Sequence, residues 1–237
     1  MSRSVGEQPV SLPGFRPLQT ANREDAGHEM QLRAGAFSDE MQRRRSVRHF
    51  SPRSLPNGLL ETCLRAALSA PSGANLQPWH YAVVTDPQVK RRIRQVAEEQ
   101  ERSFYSGRAS DGWLEALTPL ATGPEKPFLE TAPCLIAIFV QRRRQLPSGQ
   151  WIKCPYALES VGIATGMLIA ALHHAGLACL TYTPSPMGFL NDILGRPKDE
   201  RPFVLLVTGY PAEDAIVPDV PRRAFDDVVS YDLKGAI

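Results

Sequence analysis

Apolar and polar residues recur along the chain with the period of a helix in some segments and in short unbroken apolar runs in others. Between residues 59 and 68 the apolar side chains follow one helix face: Leu59, Leu60, Cys63, Leu64, Ala67 and Leu68. Pro71 closes this predicted helix. A strand is predicted over 81–85, and Asp86-Pro87 is typical of a helix start, so a charged helix is predicted from 88 to about 105.

The second half of the chain is more apolar. An unbroken apolar run over 134–139 predicts a buried strand, and 177–183 and 203–210 predict two more, with a short helix around 189–194. Residues 157–175 predict a helix of small apolar residues that is buried against another helix or subunit. No G-x-G-x-x-G or Walker loop is present, which argues against a dinucleotide-binding fold. The pattern therefore predicts an α+β sandwich with a mixed central sheet.

Composition shifts along the chain indicate its organisation. Residues 1–30 hold three prolines and few paired apolar positions, which predicts a flexible N-terminal arm before one domain over 31–237. Residues 106–126 hold three glycines and two prolines with little periodicity, which is typical of a binding loop. We expect a lid at about 101–126, where Pro119 and Pro124, and Pro127 directly after it, interrupt helices.

The charge and the cysteine pattern exclude several classes of function. Twenty-seven basic and 25 acidic residues give a net charge of +2, too little for a long-range field toward nucleic acid or anionic membranes. No apolar run approaches the roughly 20 residues that span a bilayer, and no leader pattern is present, so we expect a cytoplasmic protein with no membrane partner. The four cysteines and five histidines show no metal-ligand spacing, which predicts reduced core cysteines and no metal site.

A compact basic run is the first candidate for chemistry. Four arginines and a serine occupy residues 43–48. Guanidinium forks match the oxygens of a phosphomonoester better than the point charge of lysine does. The run by itself favours a solvated basic turn or a nucleic-acid patch, because basic runs usually lie on the surface. Nucleic-acid binding is the weaker interpretation, because aromatic residues are not interleaved with the basic ones.

The loop that follows the first predicted helix of this region completes a recognisable order. Pro71-Ser72-Gly73-Ala74 is a tight loop with exposed amides, and a Pro-Trp pair and a strand come after it. With the arginine run before it, this order resembles the FMN-dependent nitroreductase superfamily over about residues 35 to 230. The resemblance implies an α-β-α sandwich, an intertwined homodimer and non-covalent FMN. It also implies a set of FMN-binding residues: Arg44, Arg45, Ser46, Val47, Arg48, Pro71, Ser72, Gly73, Thr181, Tyr182, Thr183 and Arg222.

A second set of residues resembles the iodotyrosine deiodinase branch of that superfamily. Glu101, Tyr105 and Lys126 stand at the spacing of the three residues that hold the substrate zwitterion there. An anion, a cation and a neutral hydrogen-bonding group suit a ligand with both an ammonium and a carboxylate. The alternative is an ordinary i,i+4 helix pair and a solvated lysine. By the same resemblance, the backbone N–H of Ala74 is expected to meet the substrate phenolate.

Thr183 and Ala74 are the two candidate catalytic residues. The resemblance places the Thr183 hydroxyl at flavin N5, where a rotating proton lets it donate or accept and favours one-electron steps; a β-branched strand end is the alternative. The implied activity is reductive dehalogenation of halotyrosines, with electrons from NAD(P)H or a reductase partner. An NAD(P)H-dependent nitroreductase or quinone reductase that transfers hydride and a flavin-binding module are the alternatives. The run Arg142-Arg143-Arg144 has no counterpart in the resemblance, and a solvated surface is its default interpretation.

Overall fold

The computed structural model describes residues 27–231, and the chain divides after Gln42 into two compact units. The described part of the first unit is helix α1, Gly27–Arg43, whose last residue opens the second unit. No residue of α1 is buried. Most of the predicted N-terminal arm lies outside the described residues. Within residues 27–231 no helix is long and apolar enough to cross a membrane.

The second unit alternates helices and strands much as the sequence predicts. Its named elements are α2 Leu59–Leu68, β1 Trp79–Val84, α3 Pro87–Ser103, α4 Asp111–Leu117, α5 Phe128–Thr131, β2 Cys134–Gln141, β3 Arg143–Gln145, β4 Trp151–Lys153, α6 Ala157–His174, β5 Ala178–Tyr182, α7 Phe189–Ile193 and β6 Glu200–Gly209. The predicted start of α3 is confirmed, because the Asp86 side chain accepts hydrogen bonds from the backbone N–H groups of Gln88 and Val89. Residues 104–126, between α3 and α5, are called the lid segment below.

The main sheet has the strand order β1-β2-β6-β5, and its ladders are all antiparallel. The sequence predicts a mixed sheet, and this prediction is wrong for the described strands. Among the described residues outside these strands, a single parallel bridge joins Ser46 to Cys179. The cause is the long excursion after β1, which returns to the end of the sheet that it left, so that Val84 pairs with Leu135. Alternation of helices and strands gives parallel neighbours only when the connection crosses to the opposite end.

Both faces of the sheet are buried, which explains the unbroken apolar run of β2. Leu135, Ala137 and Phe139 belong to one apolar cluster, together with Ile93 of α3 and Leu129 of α5. The alternate residues of β2 belong to a second cluster, which also includes residues of α2 and α6. These β2 residues are Cys134, Ile136, Ile138 and Val140. Helices therefore cover the sheet on both sides, and the predicted α+β sandwich is confirmed. All four cysteines are buried and free, as expected.

Helix α6 is buried along one side only. Val161, Ala164 and Leu168 are fully buried, whereas Leu158 and Ile163 are 49% and 48% exposed. The sequence predicts burial on most faces because the helix has small and apolar residues all round. In the single chain, the side of α6 that carries Leu158 and Ile163 faces solvent.

Candidate active site

Two adjoining cavities lie where the arginine run, the lid segment and the end of β5 meet. The arginine cavity, of about 250 Å³, is lined by Arg44, Arg45, Ser46, Arg48, Leu120, Pro218, Val220, Pro221 and Arg222. The lid cavity, of about 300 Å³, is lined by Arg48, Gln100, Glu101, Phe104, Tyr105, Trp113, Leu117, Leu120, Thr122, Lys126, Phe128, Leu180, Thr181, Tyr182, Thr183 and Ser185. Arg48 and Leu120 line both cavities, so the two cavities are neighbours.

Backbone pairing positions the arginine run. The Val47 N–H donates to the Cys179 carbonyl of β5 over 3.2 Å, which fixes the residues on either side. The C-terminal segment closes the cavity, because Arg222 Nη2 donates to the Arg44 carbonyl over 2.9 Å and the Arg45 guanidinium donates to the Pro218 carbonyl. The structure thus gathers five of the predicted cofactor residues: Arg44, Arg45, Ser46, Arg48 and Arg222. The Val47 side chain is 8% exposed and belongs to the core.

Arg48 has the electrostatics of an anion site. Burial lowers the pKa of this guanidinium, and the nearby Tyr105 phenol opposes that shift. Arg48 forms no salt bridge with any carboxylate in residues 27–231. A partly buried cation without a counter-ion is costly unless a ligand supplies the anion. With the other arginines and Ser46 beside it, the donor set fits a phosphate group.

The three residues predicted to hold a zwitterion are together in the lid cavity. Lys126 is 3% exposed, and its Nζ lies 3.2 Å from Glu101 Oε2 and 5.7 Å from the centroid of the Tyr105 ring. The lysine also donates to Thr122 Oγ1 over 3.3 Å and to the Gly123 carbonyl. The Tyr105 hydroxyl donates to the Thr122 carbonyl over 3.1 Å. Cation and anion therefore neutralise each other inside a cavity, where a ligand carrying both charges could replace each partner.

Tyr182 belongs to the same charged group. Its hydroxyl donates to Glu101 Oε1 over 3.0 Å, and its ring centroid lies 5.8 Å from Lys126 Nζ. Burial raises the pKa of the Tyr182 phenol, and the charge of Glu101 raises it further. The hydroxyl is therefore a stable donor to that carboxylate. The sequence resemblance places Tyr182 with the cofactor, whereas its side chain contacts the predicted zwitterion residues.

Thr181 and Thr183 line the lid cavity at the carboxyl end of β5, and both are exposed. The strand ends at Tyr182, so Thr183 is the first residue beyond the ladder. Ser185 follows in the lining, and its carbonyl accepts a bond of 2.8 Å from Arg108 Nη2 of the lid segment. The predicted threonine site and the predicted lid thus meet at one cavity.

The loop of Pro71, Ser72, Gly73 and Ala74 lines neither cavity in the single chain. It packs on the start of α6, where the Gly73 N–H donates to Ser160 Oγ over 3.3 Å. A Cβ at Gly73 would lie 2.8 Å from the Pro155 carbonyl oxygen, so this approach requires glycine. Ala74 itself has a left-handed backbone with φ of 51°. Strain of this kind in a non-glycine residue is typical of functional loops.

Two positioning contacts were not found from the sequence. Glu98 Oε1 accepts hydrogen bonds of 2.7 Å from the Lys126 backbone N–H and from Arg94 Nε. Burial pushes the pKa of Glu98 upward, but the bonds from Lys126 and Arg94 outweigh it and hold the pKa below its ordinary value. The i,i+4 spacing of Arg94 and Glu98 was a readable signal. The second contact, from Arg108 to Ser185, joins residues 77 positions apart, and no local signal marks it.

Comparison with known proteins gives matches over most of the chain. A model of the nitroreductase family matches residues 41–210. An iodotyrosine deiodinase of Haliscomenobacter hydrossis is 50% identical over 211 residues, covering 89% of this chain and 94% of that protein. Iodotyrosine deiodinase 1 of Mus musculus is 42% identical over 202 residues, covering 85% of this chain and 71% of that protein.

Solved structures show the same likeness. A crystal structure of oxidised iodotyrosine deiodinase bound to FMN and 3-iodo-L-tyrosine is similar with a TM-score of 0.71 and 32% identity, covering 83% of this chain and 98% of that one. A nitroreductase with bound FMN from Bacteroides fragilis is similar in fold, with a TM-score of 0.60, 19% identity and coverage of 83% and 98%. The sequence resemblance, the fold and the comparisons therefore agree.

Proposed function

The chain belongs to the nitroreductase family and, within it, to the iodotyrosine deiodinases, and from that premise we propose that it is an FMN-dependent oxidoreductase that removes halogen from halotyrosines. The observation that carries the proposal is the group of Glu101, Tyr105 and Lys126 in one cavity beside the arginine cavity. A general nitroarene reductase has no need of a buried carboxylate and ammonium at its substrate pocket. A zwitterionic substrate needs both.

The arginine cavity is the proposed site of the FMN phosphate. Arg44, Arg45, Arg48 and Arg222 supply charged donors there, and Ser46 supplies a hydroxyl. When bound, FMN supplies reversible electron transfer to the substrate ring. Because Arg48 also lines the lid cavity, it connects the phosphate site to the place where the substrate is held.

The buried ion pair is the proposed recognition device for the amino-acid head. The substrate ammonium replaces Lys126 as the partner of Glu101, and the substrate carboxylate replaces Glu101 as the partner of Lys126. Each buried charge stays compensated through this exchange, which keeps the cost of opening the pair small. The Tyr182 hydroxyl holds Glu101 in place, and Lys126 is held from the backbone side by Glu98. A phenol without the amino-acid head cannot complete the exchange.

Two further groups are proposed to act at the reacting ring. The Thr183 hydroxyl, at the end of β5, can donate or accept a hydrogen bond at the cofactor edge and so support transfer of single electrons. The Ala74 N–H is the proposed donor to the substrate phenolate, where negative charge on the ring oxygen needs a fixed dipole. In the net reaction, two electrons and a proton replace the carbon–halogen bond by carbon–hydrogen and release halide.

A homodimer is part of the proposal, because the Ala74 loop lines neither cavity of its own chain. We assign this loop to the site of a second copy. Exposed apolar residues next to the loop support that assignment, since Tyr156, Leu158 and Ile163 are 71%, 49% and 48% exposed. An isologous twofold contact would give each site one arginine cavity and one partner loop.

Anaerobic reoxidation of the reduced FMN protein by iodotyrosine tests the proposed function. We expect stoichiometric iodide and tyrosine, with the visible flavin spectrum returning to its oxidised form. Rapid NAD(P)H-driven reduction of nitroarenes without any iodide release would instead support a hydride-transferring nitroreductase.

A further inference from the structure

A third cavity opens beside the lid cavity, and its lining holds more cations than carboxylates. It has a volume of about 760 Å³, and four exposed cations lie in its lining: Arg142, Arg143, Lys198 and Arg201. Thr183 and Ser185 line both this basic cavity and the lid cavity. The loop at the end of β5 thus separates the proposed reaction site from a cluster of positive charge.

The four cations of this cavity are not held in ion pairs within the described chain. None of its four cations forms a salt bridge with a carboxylate in residues 27–231. Two carboxylates also lie in the lining. Asp199 is exposed and forms no salt bridge among the described residues. Glu200 is already engaged, because Arg196 donates to its two oxygens over 2.6 and 2.8 Å and Gln141 donates over 2.9 Å. A net charge of only +2 for the whole protein makes this cluster a local feature.

The short ribbon of β3 and β4 keeps this charge at a cost in stability. Arg143 lies directly opposite Lys153, and like charges in such cross-strand pairs destabilise a ribbon. Arg144 differs from its neighbours, because its guanidinium donates to the Leu76 carbonyl and so has a structural contact. Arg142 and Arg143 have no comparable contact among the described residues, which is consistent with use by an external anion.

We propose, on the basis of the function argued above, that the basic cavity docks an acidic single-electron carrier protein that reduces the enzyme. Its cations are exposed and come from two separate segments: Arg142 and Arg143 from the start of the ribbon, and Lys198 and Arg201 from the turn before β6 and the start of that strand. Three apolar residues share the lining with these cations: Pro184, Met187 and Phe203. Exposed cations beside apolar groups fit a transient protein interface with an acidic partner. A dinucleotide site would favour a glycine-rich phosphate loop. No such loop lines this cavity.

The electron balance agrees with such a partner. Dehalogenation consumes two electrons and one proton for each halide released. Two encounters with a one-electron carrier supply the electrons, each carrier molecule is oxidised by one electron, and the proton comes from solvent. Electrostatic steering toward the basic cavity raises the encounter rate and makes that rate sensitive to ionic strength.

Anaerobic stopped-flow reduction by a reduced flavodoxin, an acidic carrier of this class, tests the proposal with the FMN-loaded full chain. The double variant Arg143→Glu/Lys198→Glu should lose about tenfold or more of the second-order reduction rate at low ionic strength. Binding of fluorescently labelled oxidised flavodoxin should weaken in parallel. Arg92→Glu, on the exposed side of α3, is the matched control and should change neither quantity.

Chemical reduction separates this inference from the proposed function. Dithionite-driven release of iodide from iodotyrosine should be the same in the double variant and in the wild type. Equal flavodoxin rates in both proteins, or no reduction of the wild type by flavodoxin, would overturn the docking site. If NADPH reduces the double variant more slowly than the wild type, the docking site is also overturned, because the cavity would then bind a dinucleotide. Absence of dithionite-driven dehalogenation in the wild type would instead overturn the proposed function.

Discussion

Arg48 is the residue on which both proposed subsites depend, because it lines the arginine cavity and the lid cavity. Arg48→Ala should weaken FMN binding by about 1.5 to 3 kcal/mol, the range for a hydrogen bond to a charged group. Titration of the apoprotein with FMN measures this. Arg43→Ala is the matched control, since Arg43 belongs to the same basic run but lines neither cavity. Unchanged FMN affinity in Arg48→Ala would remove this residue from the phosphate site.

The Glu101–Lys126 pair predicts how selective the site is for an amino-acid head. Glu101→Gln keeps the shape but removes the charge, so halotyrosine should bind more weakly by about 1.5 to 3 kcal/mol while FMN affinity is retained. Lys126→Ala should weaken halotyrosine binding similarly and should also destabilise the fold, since it leaves Glu101 without its buried partner. Glu99→Gln, on the exposed side of α3, is the control. If iodophenol binds the wild type as tightly as iodotyrosine does, the assigned role is wrong.

Thr183 is the residue that we expect to decide between one-electron and two-electron chemistry. Thr183→Ala removes a hydroxyl from the lid cavity and leaves the arginine cavity intact. Dehalogenation should fall while nitroarene reduction persists or rises. Stepwise reduction with a substrate analogue bound should give a flavin radical signal in the wild type but not in the variant. Thr181→Ala is the control, because Thr181 lines the same cavity two residues earlier. Equal radical yields in wild type and Thr183→Ala would exclude control by the hydroxyl.

At the scale of elements, α3 and the end of the lid segment are joined by one carboxylate. Glu98 accepts from the Lys126 N–H, and its pKa is held below the ordinary value of 4.5. A lowered folded-state pKa means that the stabilisation is fully present above the ordinary value and is lost as the pH falls through the folded value. Glu98→Gln should therefore be less stable than the wild type at neutral pH and should lose less stability below pH 4.5. Thermal unfolding against pH measures both effects, and an acid profile identical to that of the wild type would contradict this contact.

The elements also show what local sequence pattern determines. Apolar runs and the Asp86 cap predicted β2, β5, β6 and the start of α3 within a few residues, because burial and capping are local properties. Strand direction was missed, since it depends on where a long excursion returns to the sheet. Helix α4 was also missed: Ser110 caps it, and it ends before Pro119, so the prolines delimit short helices in the lid segment.

At the scale of the whole molecule, the site residues come from distant parts of the chain. The bond from Arg222 to Arg44 joins residues 178 positions apart, and only the family resemblance pointed to it. Side-chain assignments within a motif were less predictable. Tyr182 contacts Glu101, and Val47 is in the core, because alternation along a short segment sends neighbouring side chains to different surroundings. Motif membership therefore predicted which residues lie together, and packing decided the individual contacts.

The proposed dimer predicts complementation between two defective chains. Arg48→Ala damages the arginine cavity, and Gly73→Val forces the Ala74 loop away from the Pro155 carbonyl. Either variant alone should form dimers with two defective sites. If each site combines the cavity of one chain with the loop of its partner, the heterodimer contains one intact site and one doubly defective site, so dehalogenation should recover to about half the wild-type value per dimer.

Two measurements fix the interpretation of that mixing experiment. Ile163→Glu places a charge on the exposed apolar side of α6 and should dissociate the dimer with loss of FMN, whereas Ile163→Val should keep both. Sedimentation gives the mass, and FMN fluorescence gives the bound fraction. A wild-type mass near the 26.2 kDa of one chain at micromolar concentration with FMN bound would exclude the shared site. Failure of the purified heterodimer to recover activity would exclude it too, because a site built within one chain leaves both halves of that heterodimer defective.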